Sequence, residues 1–143
     1  MKFSIESKQG HARAGSLSVN NKTINTPAFM TIGTYGSVKT MDTYDLKKCN
    51  VEIILSNAFH LMLRPGTDLI EKFGGLHQLM NWDGLILTDS GGYQVFSLGK
   101  DVKISNTGAE FRSPFNGDKV FMSPEISIDV QTKINTDIMM IFD

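Results

Sequence analysis

Cysteine is almost missing from this chain: Cys49 is the only one among 143 residues, so no internal disulfide and no thiolate cluster can be built from it. A lone thiol of this kind is expected as a small buried hydrophobe. Long apolar runs are missing too. No stretch is apolar enough to span a bilayer, and the start, Met1-Lys2-Phe3-Ser4-Ile5-Glu6, lacks the basic-then-apolar order of an export signal. The default expectation is a cytoplasmic protein with no membrane partner. Neither sign of charge dominates. Fourteen Lys plus Arg against fifteen Asp plus Glu leave a formal charge of -1, which confines any nucleic-acid contact to a local patch. His11, His60 and His77 lack the close pair spacing of a helical zinc motif, so metal binding within the chain is not expected. There is no repeat, low-complexity tract or linker.

What is present suits a globular unit. A hydrophobic content of 41% with 20% charged residues is ordinary for a folded domain, and a chain of this size can bury roughly two thirds of its unfolded surface. Residues 1–143 therefore read as one domain or a piece of one. Residues 1 to 28 read as short antiparallel strands, with turn signals at Gly10, Gly15 and Asn20-Asn21. From Phe29 the rhythm changes. Apolar runs at 28–32, 52–55, 85–87 and 138–142 alternate with helix-like stretches, as in βα units around a parallel sheet. The segment 42–48 opens on Asp42 as a cap candidate and closes on two lysines, and 67–73 ends at Gly74-Gly75. Turn signals at Thr107-Gly108 and Asn116-Gly117 predict an inserted hairpin. Ser123-Pro124-Glu125 then starts a capped helix that runs to about Asn135. Four strands with their helices make the N-terminal portion of an α/β (β/α)8 barrel, preceded by a small antiparallel sheet and incomplete in this chain.

In such a barrel the reactive groups stand just past the strand C-termini. Those positions read Gly33-Thr34-Tyr35-Gly36-Ser37, Ser56-Asn57-Ala58-Phe59-His60, Thr88-Asp89-Ser90-Gly91-Gly92-Tyr93-Gln94, and Asp143. Each residue has a plain alternative. Asp-Ser-Gly-Gly can be a tight turn, Tyr93 a packing aromatic, Asn57 a turn residue, and His60 a satisfied structural histidine, which is the reading kept for it.

The stretch Leu87-Thr88-Asp89-Ser90-Gly91-Gly92-Tyr93-Gln94-Val95-Phe96-Ser97-Leu98 resembles the signature of the tRNA-guanine transglycosylases, the queuine tRNA-ribosyltransferase family. Supporting matches are Thr26-Pro27-Ala28-Phe29-Met30, Asn57 with His60-Leu61-Met62-Leu63-Arg64-Pro65-Gly66, Phe111-Arg112-Ser113, Met122-Ser123-Pro124-Glu125, and 137–143. They cover nearly the whole chain in the family's order. The Gly-Gly-aromatic-Gln-Val-Phe-Ser-Leu form resembles the bacterial branch.

The resemblance implies a barrel enzyme, a pentosyltransferase that replaces guanine at the anticodon wobble position of tRNA by 7-aminomethyl-7-deazaguanine in queuosine biosynthesis. Double displacement at an anomeric carbon needs a carboxylate nucleophile and a group that moves the base's proton. The resemblance gives Asp89 the acid/base post, and Ser90, Tyr93 and Asp143 the base pocket. Asn57 would orient the Asp89 carboxylate. The nucleophile, an aspartate on a later strand, is expected beyond residue 143, so the chain alone is expected to be inactive. Alternatives are a truncated inactive fragment and a non-catalytic tRNA-binding partner subunit. No cofactor is expected in this chain; the family's structural zinc would take its ligands beyond residue 143. The implied partners are tRNA, guanine and the 7-deazaguanine base, with a homodimer open to the full-length form.

Two residues depart from the family pattern. Thr31 stands where proline is usual, which should loosen a strand end slightly. Ala58 stands where threonine is common, which removes a hydroxyl near Asp89 and questions how tightly that carboxylate is held.

Overall fold

In the computed structural model, which describes residues 1–99 and 102–142, three antiparallel strands come first. They are β1 (Lys2–Gln9), β2 (Ala12–Val19) and β3 (Lys22–Thr26), paired in that order. Gly10 and Asn20 take positive φ (58° and 53°) at the two tight connections. Gly15, expected at a turn, lies inside β2 opposite Ile5. A Cβ there would strike the Ser4 carbonyl oxygen, so this glycine permits close backbone approach.

The next elements are β4 (Thr31–Ile32), α1 (Thr43–Lys48), β5 (Ile53–Ser56), α2 (Ala58–Leu63), α3 (Thr67–Lys72), α4 (Leu76–Met80), β6 (Leu85–Thr88) and α5 (Gly92–Ser97). An inserted sheet, β7 (Lys103–Ser105), β8 (Gly108–Arg112) and β9 (Lys119–Met122), precedes α6 (Pro124–Ile134) and β10 (Ile138–Met139). Strands β4, β5, β6 and β10 form one parallel sheet in the order β10-β6-β5-β4. The fold is mixed α/β, with helices packed on one face of a parallel sheet and two antiparallel sheets beside it.

Several expectations need correction. The runs at 28–32 and 138–142 pair over only two residues each, because both lie at the sheet's edges with one neighbour. The insertion has one strand more than a hairpin. Helices α2, α4 and α5 are not evident from sequence, since none has a side-chain cap and each is five or six residues long. Cys49 is exposed: it follows α1, whose buried position is Leu46. Thr31 pairs opposite Ile54 as the first residue of β4.

The expected caps do form. Asp42 Oδ1 accepts from Asp45 N at 2.8 Å, and Ser123 Oγ accepts from Ile126 N at 3.2 Å, each contributing on the order of 1 kcal/mol. Helices pack on the sheet through Leu46, Ile54, Ile70, Leu76, Ile86 and Ile134. Each such side chain, fully buried, stabilises by about 1.5–3 kcal/mol. The inserted sheet packs through Phe111 and Met122 against Phe59 and Val95. The antiparallel sheet closes the strand N-termini through Val19 and Ile24 on Ile53 and Leu85.

Asp137 bolts that lower end. Its Oδ2 accepts from Ile86 N at 2.9 Å and lies 2.8 Å from His77 Nε2, while Oδ1 accepts from Asn20 Nδ2 at 3.2 Å and Lys22 Nζ stands 3.7 Å away. Burial pushes this carboxyl up. The Ile86 amide and the charges of His77 and Lys22 outweigh burial and hold it below its ordinary value. Sixty residues separate His77 from Asp137, so sequence spacing gave no hint of the pair. No helix among the described residues is long and apolar enough to cross a membrane.

Candidate active site

The upper end of the parallel sheet is polar. Strand β6 ends at Thr88, and the chain turns through Asp89, Ser90 and Gly91 into α5. Gly91 carries the turn at φ 84°, and a Cβ there would press on Met122 and Phe59 at 3.0 and 3.1 Å. Both the left-handed backbone and the crowding demand glycine. The turn brings Asp89 over the C-terminal end of β5.

There the Asp89 carboxylate accepts three N–H groups. Asn57 Nδ2 reaches Oδ2 at 2.5 Å, Gln94 Nε2 reaches the same oxygen at 2.9 Å, and Ala58 N reaches Oδ1 at 2.9 Å. The Ala58 backbone amide thus grips the carboxylate although the threonine hydroxyl is gone. Charge-assisted bonds of this number fix both oxygens in place. Gln94 was quoted in the motif without a role, yet it is one of the three donors. Its Oε1 is buried and has no hydrogen-bond partner among the described residues.

Asp89, Ser90, Gly91, Tyr93 and Gln94 line a cavity of about 170 Å³ whose opposite wall is Met140 and Ile141. Ser90 is buried and its Oγ accepts from Gly92 N at 3.2 Å. Tyr93, in the first turn of α5, is 70% exposed and presents a ring at the cavity mouth. Asp143 lies outside the described residues. A second cleft of about 310 Å³, between α5 and the β7-β8 turn, is lined by Val95, Phe96, Ile104 and Phe142, and its lining has no titratable side chain among the described residues. Of the two cavities beside α5, the Asp89 cavity is the one with a carboxylate in its lining.

His60 sits nearby with its Nδ1 3.3 Å from Tyr35 Oη, edge-on to Tyr35 and Phe59 at 5.2 Å. It has the contacts of a structural histidine. Among the described residues no three His, Cys, Asp or Glu side chains gather as a metal site.

A carboxylate and a cavity at the carboxyl ends of parallel strands are the usual site layout of an α/β protein that binds a ligand outside its sheet. The family follows from comparison with known proteins. Residues 7–143 match the family model described as queuine tRNA-ribosyltransferase. The whole chain is 55% identical to a queuine tRNA-ribosyltransferase of Herminiimonas arsenicoxydans, covering 38% of that protein. It is 56% identical to that of Hydrogenovibrio crunogenus and 55% identical to that of Francisella tularensis subsp. novicida, covering 39% of each. The chain belongs to the queuine tRNA-ribosyltransferase family, and it spans 38–39% of the length of these curated relatives.

Proposed function

We propose that this chain is the part of a tRNA-guanine transglycosylase that binds the target base and moves its proton. The observation that carries the reading is the Asp89 carboxylate, held by three N–H donors beside a cavity with an exposed aromatic ring at its mouth. We read the parallel sheet as an arc of a (β/α)8 barrel and residues 1–143 as one partial domain. Leu55 and Leu87 support this: they lie on the sheet face opposite the helices and stay half-exposed, as a barrel interior would without its remaining strands.

In this reading tRNA presents an unstacked guanine, which slides against the Tyr93 ring. Ser90 and Asp143 meet its polar edge. A carboxylate from a strand beyond residue 143 attacks the ribose anomeric carbon. Asp89, which must first take a proton from solvent, gives it to guanine as the C–N bond breaks and the C–O bond to the attacking carboxylate forms. Asp89, now ionised, takes a proton from the incoming 7-aminomethyl-7-deazaguanine, whose nitrogen displaces the carboxylate. Asn57, Ala58 N and Gln94 keep Asp89 in register through both halves. In this reading the working protein is cytoplasmic, where bacterial tRNA is found, and a homodimer suits the full-length form.

The 143 residues alone would not complete this cycle, because the nucleophile is not among them. The test is incorporation of labelled guanine into tRNA by the chain alone and after addition of the family's remaining segment. Incorporation only on complementation, lost with Asp89→Asn, supports the reading. Incorporation by the chain alone, or none in the complemented or complete polypeptide, refutes it.

A further inference from the structure

We infer that Gln131 is a positioning residue for the base pocket, holding its two walls at a fixed separation through one buried amide. The inference rests on the base-exchange reading above and extends it to a residue outside the cavity.

Gln131 lies on α6 and is fully buried. Its side chain treats Met140 as a neighbouring strand would: Oε1 accepts from Met140 N at 2.9 Å and Nε2 donates to Met140 O at 2.9 Å. The β10 ladder stops at Met139, so the side-chain amide takes over one residue past the last backbone pair. The other Nε2 proton is shared between Ser127 Oγ and Ser127 O at 3.2 and 3.3 Å. Ser127 Oγ in turn donates to Ser90 O at 2.6 Å. Thr88 Oγ1 donates to Gln131 Oε1 at 2.9 Å and lies 3.1 Å from Thr136 Oγ1.

The protons all run one way, from Thr136 to Thr88 to Gln131 to Ser127 to the Ser90 carbonyl. One wall of the cavity is the turn from Asp89 to Gly91, which this chain grips at Thr88 just before it and at Ser90 within it. The other wall is Met140 and Ile141, gripped at Met140. A buried amide is costly unless every donor and acceptor is met, and an apolar side chain of similar size would fill the space without that demand. What the amide adds over a methionine is the fixed position of Met140 relative to Ser90.

The test compares Gln131→Met, Ser127→Ala and Ile70→Ala in the complete polypeptide carrying this chain, with KM for free base, kcat and amide hydrogen exchange. Ile70→Ala is the control for plain destabilisation, since Ile70 is buried among the helices away from the cavity. For Gln131→Met the base KM should rise about tenfold while kcat at saturating base changes less than about threefold. Ser127→Ala should raise KM about threefold and serves if the first variant does not fold. Exchange at the Met140 amide should quicken in Gln131→Met and stay unchanged in the control. An unchanged KM, or an equal rise in the control, overturns the inference. A wild-type protein without base exchange would defeat the functional reading instead, and the Met140 amide then decides the clamp by itself.

Discussion

Replacing Asp89 by asparagine separates chemistry from folding. The carboxylate accepts from Asn57 Nδ2, Gln94 Nε2 and Ala58 N. With the new amide's oxygen kept toward the Ala58 backbone, its NH2 would face the NH2 groups of Asn57 and Gln94. Both of those side chains are amides that can turn over and offer their oxygens, and Gln94 Oε1 is already without a partner. The geometry survives with three neutral hydrogen bonds in place of three charge-assisted ones, a loss of about 1–3 kcal/mol. The reaction fares worse, because an amide cannot give guanine a proton and take one from the next base. Acid-base help of this kind contributes about 10²–10⁴-fold, or roughly 2.7–5.5 kcal/mol of barrier. In the complete polypeptide, exchange should fall by that factor while urea unfolding shifts only slightly. Exchange within about threefold of wild type would remove Asp89 from the reaction. A stability loss well above about 4 kcal/mol would mean the site is structural.

Tyr93→Ala should weaken base binding by about 1–3 kcal/mol, read as KM, and Tyr93→Phe should leave it nearly unchanged; equal losses in both would point to the hydroxyl instead of the ring. Asp137 has a folded value below its unfolded one, so its stabilisation is present above about pH 4 and is lost as pH falls through the lower folded value. Asp137→Asn should therefore flatten the acid side of the stability profile measured by urea unfolding between neutral and strongly acid pH; a profile parallel to wild type would contradict the bolt. The 143-residue chain leaves β4 and β10 as open edges, with Phe29, Ile32 and Ile141 exposed beside them, and should self-associate as concentration rises. Light scattering of a stable monomer over a wide concentration range would contradict that.

The legible parts of this protein are those written in local chemistry. Asp42 and Ser123 announce their helices because a side-chain oxygen meets an amide three residues on. Glycine at 91 is legible as a turn because a residue without Cβ takes the left-handed backbone easily. Gly15 misleads because a glycine that makes room for another strand looks like one that turns the chain. The short helices α2 and α5 are held by packing of Phe59 and Val95 against the inserted sheet, and no local cap signals them. In the site, Asp89 and Asn57 could be named from the motif, whereas the Ala58 amide that grips the same carboxylate belongs to the backbone and carries no residue signature. Gln131 and His77 meet Met140 and Asp137 only through tertiary folding.

The central claim is that the turn after β6 and the end of β10 enclose the target base. A crystal structure of the complete polypeptide with 7-aminomethyl-7-deazaguanine tests it most directly. The base should stack on the Tyr93 ring, its polar edge toward Asp89 and Ser90, with Met140 and Ile141 across the cavity. A base bound instead in the apolar cleft beside Phe96 and Ile104, with the Asp89 cavity empty, would contradict the account.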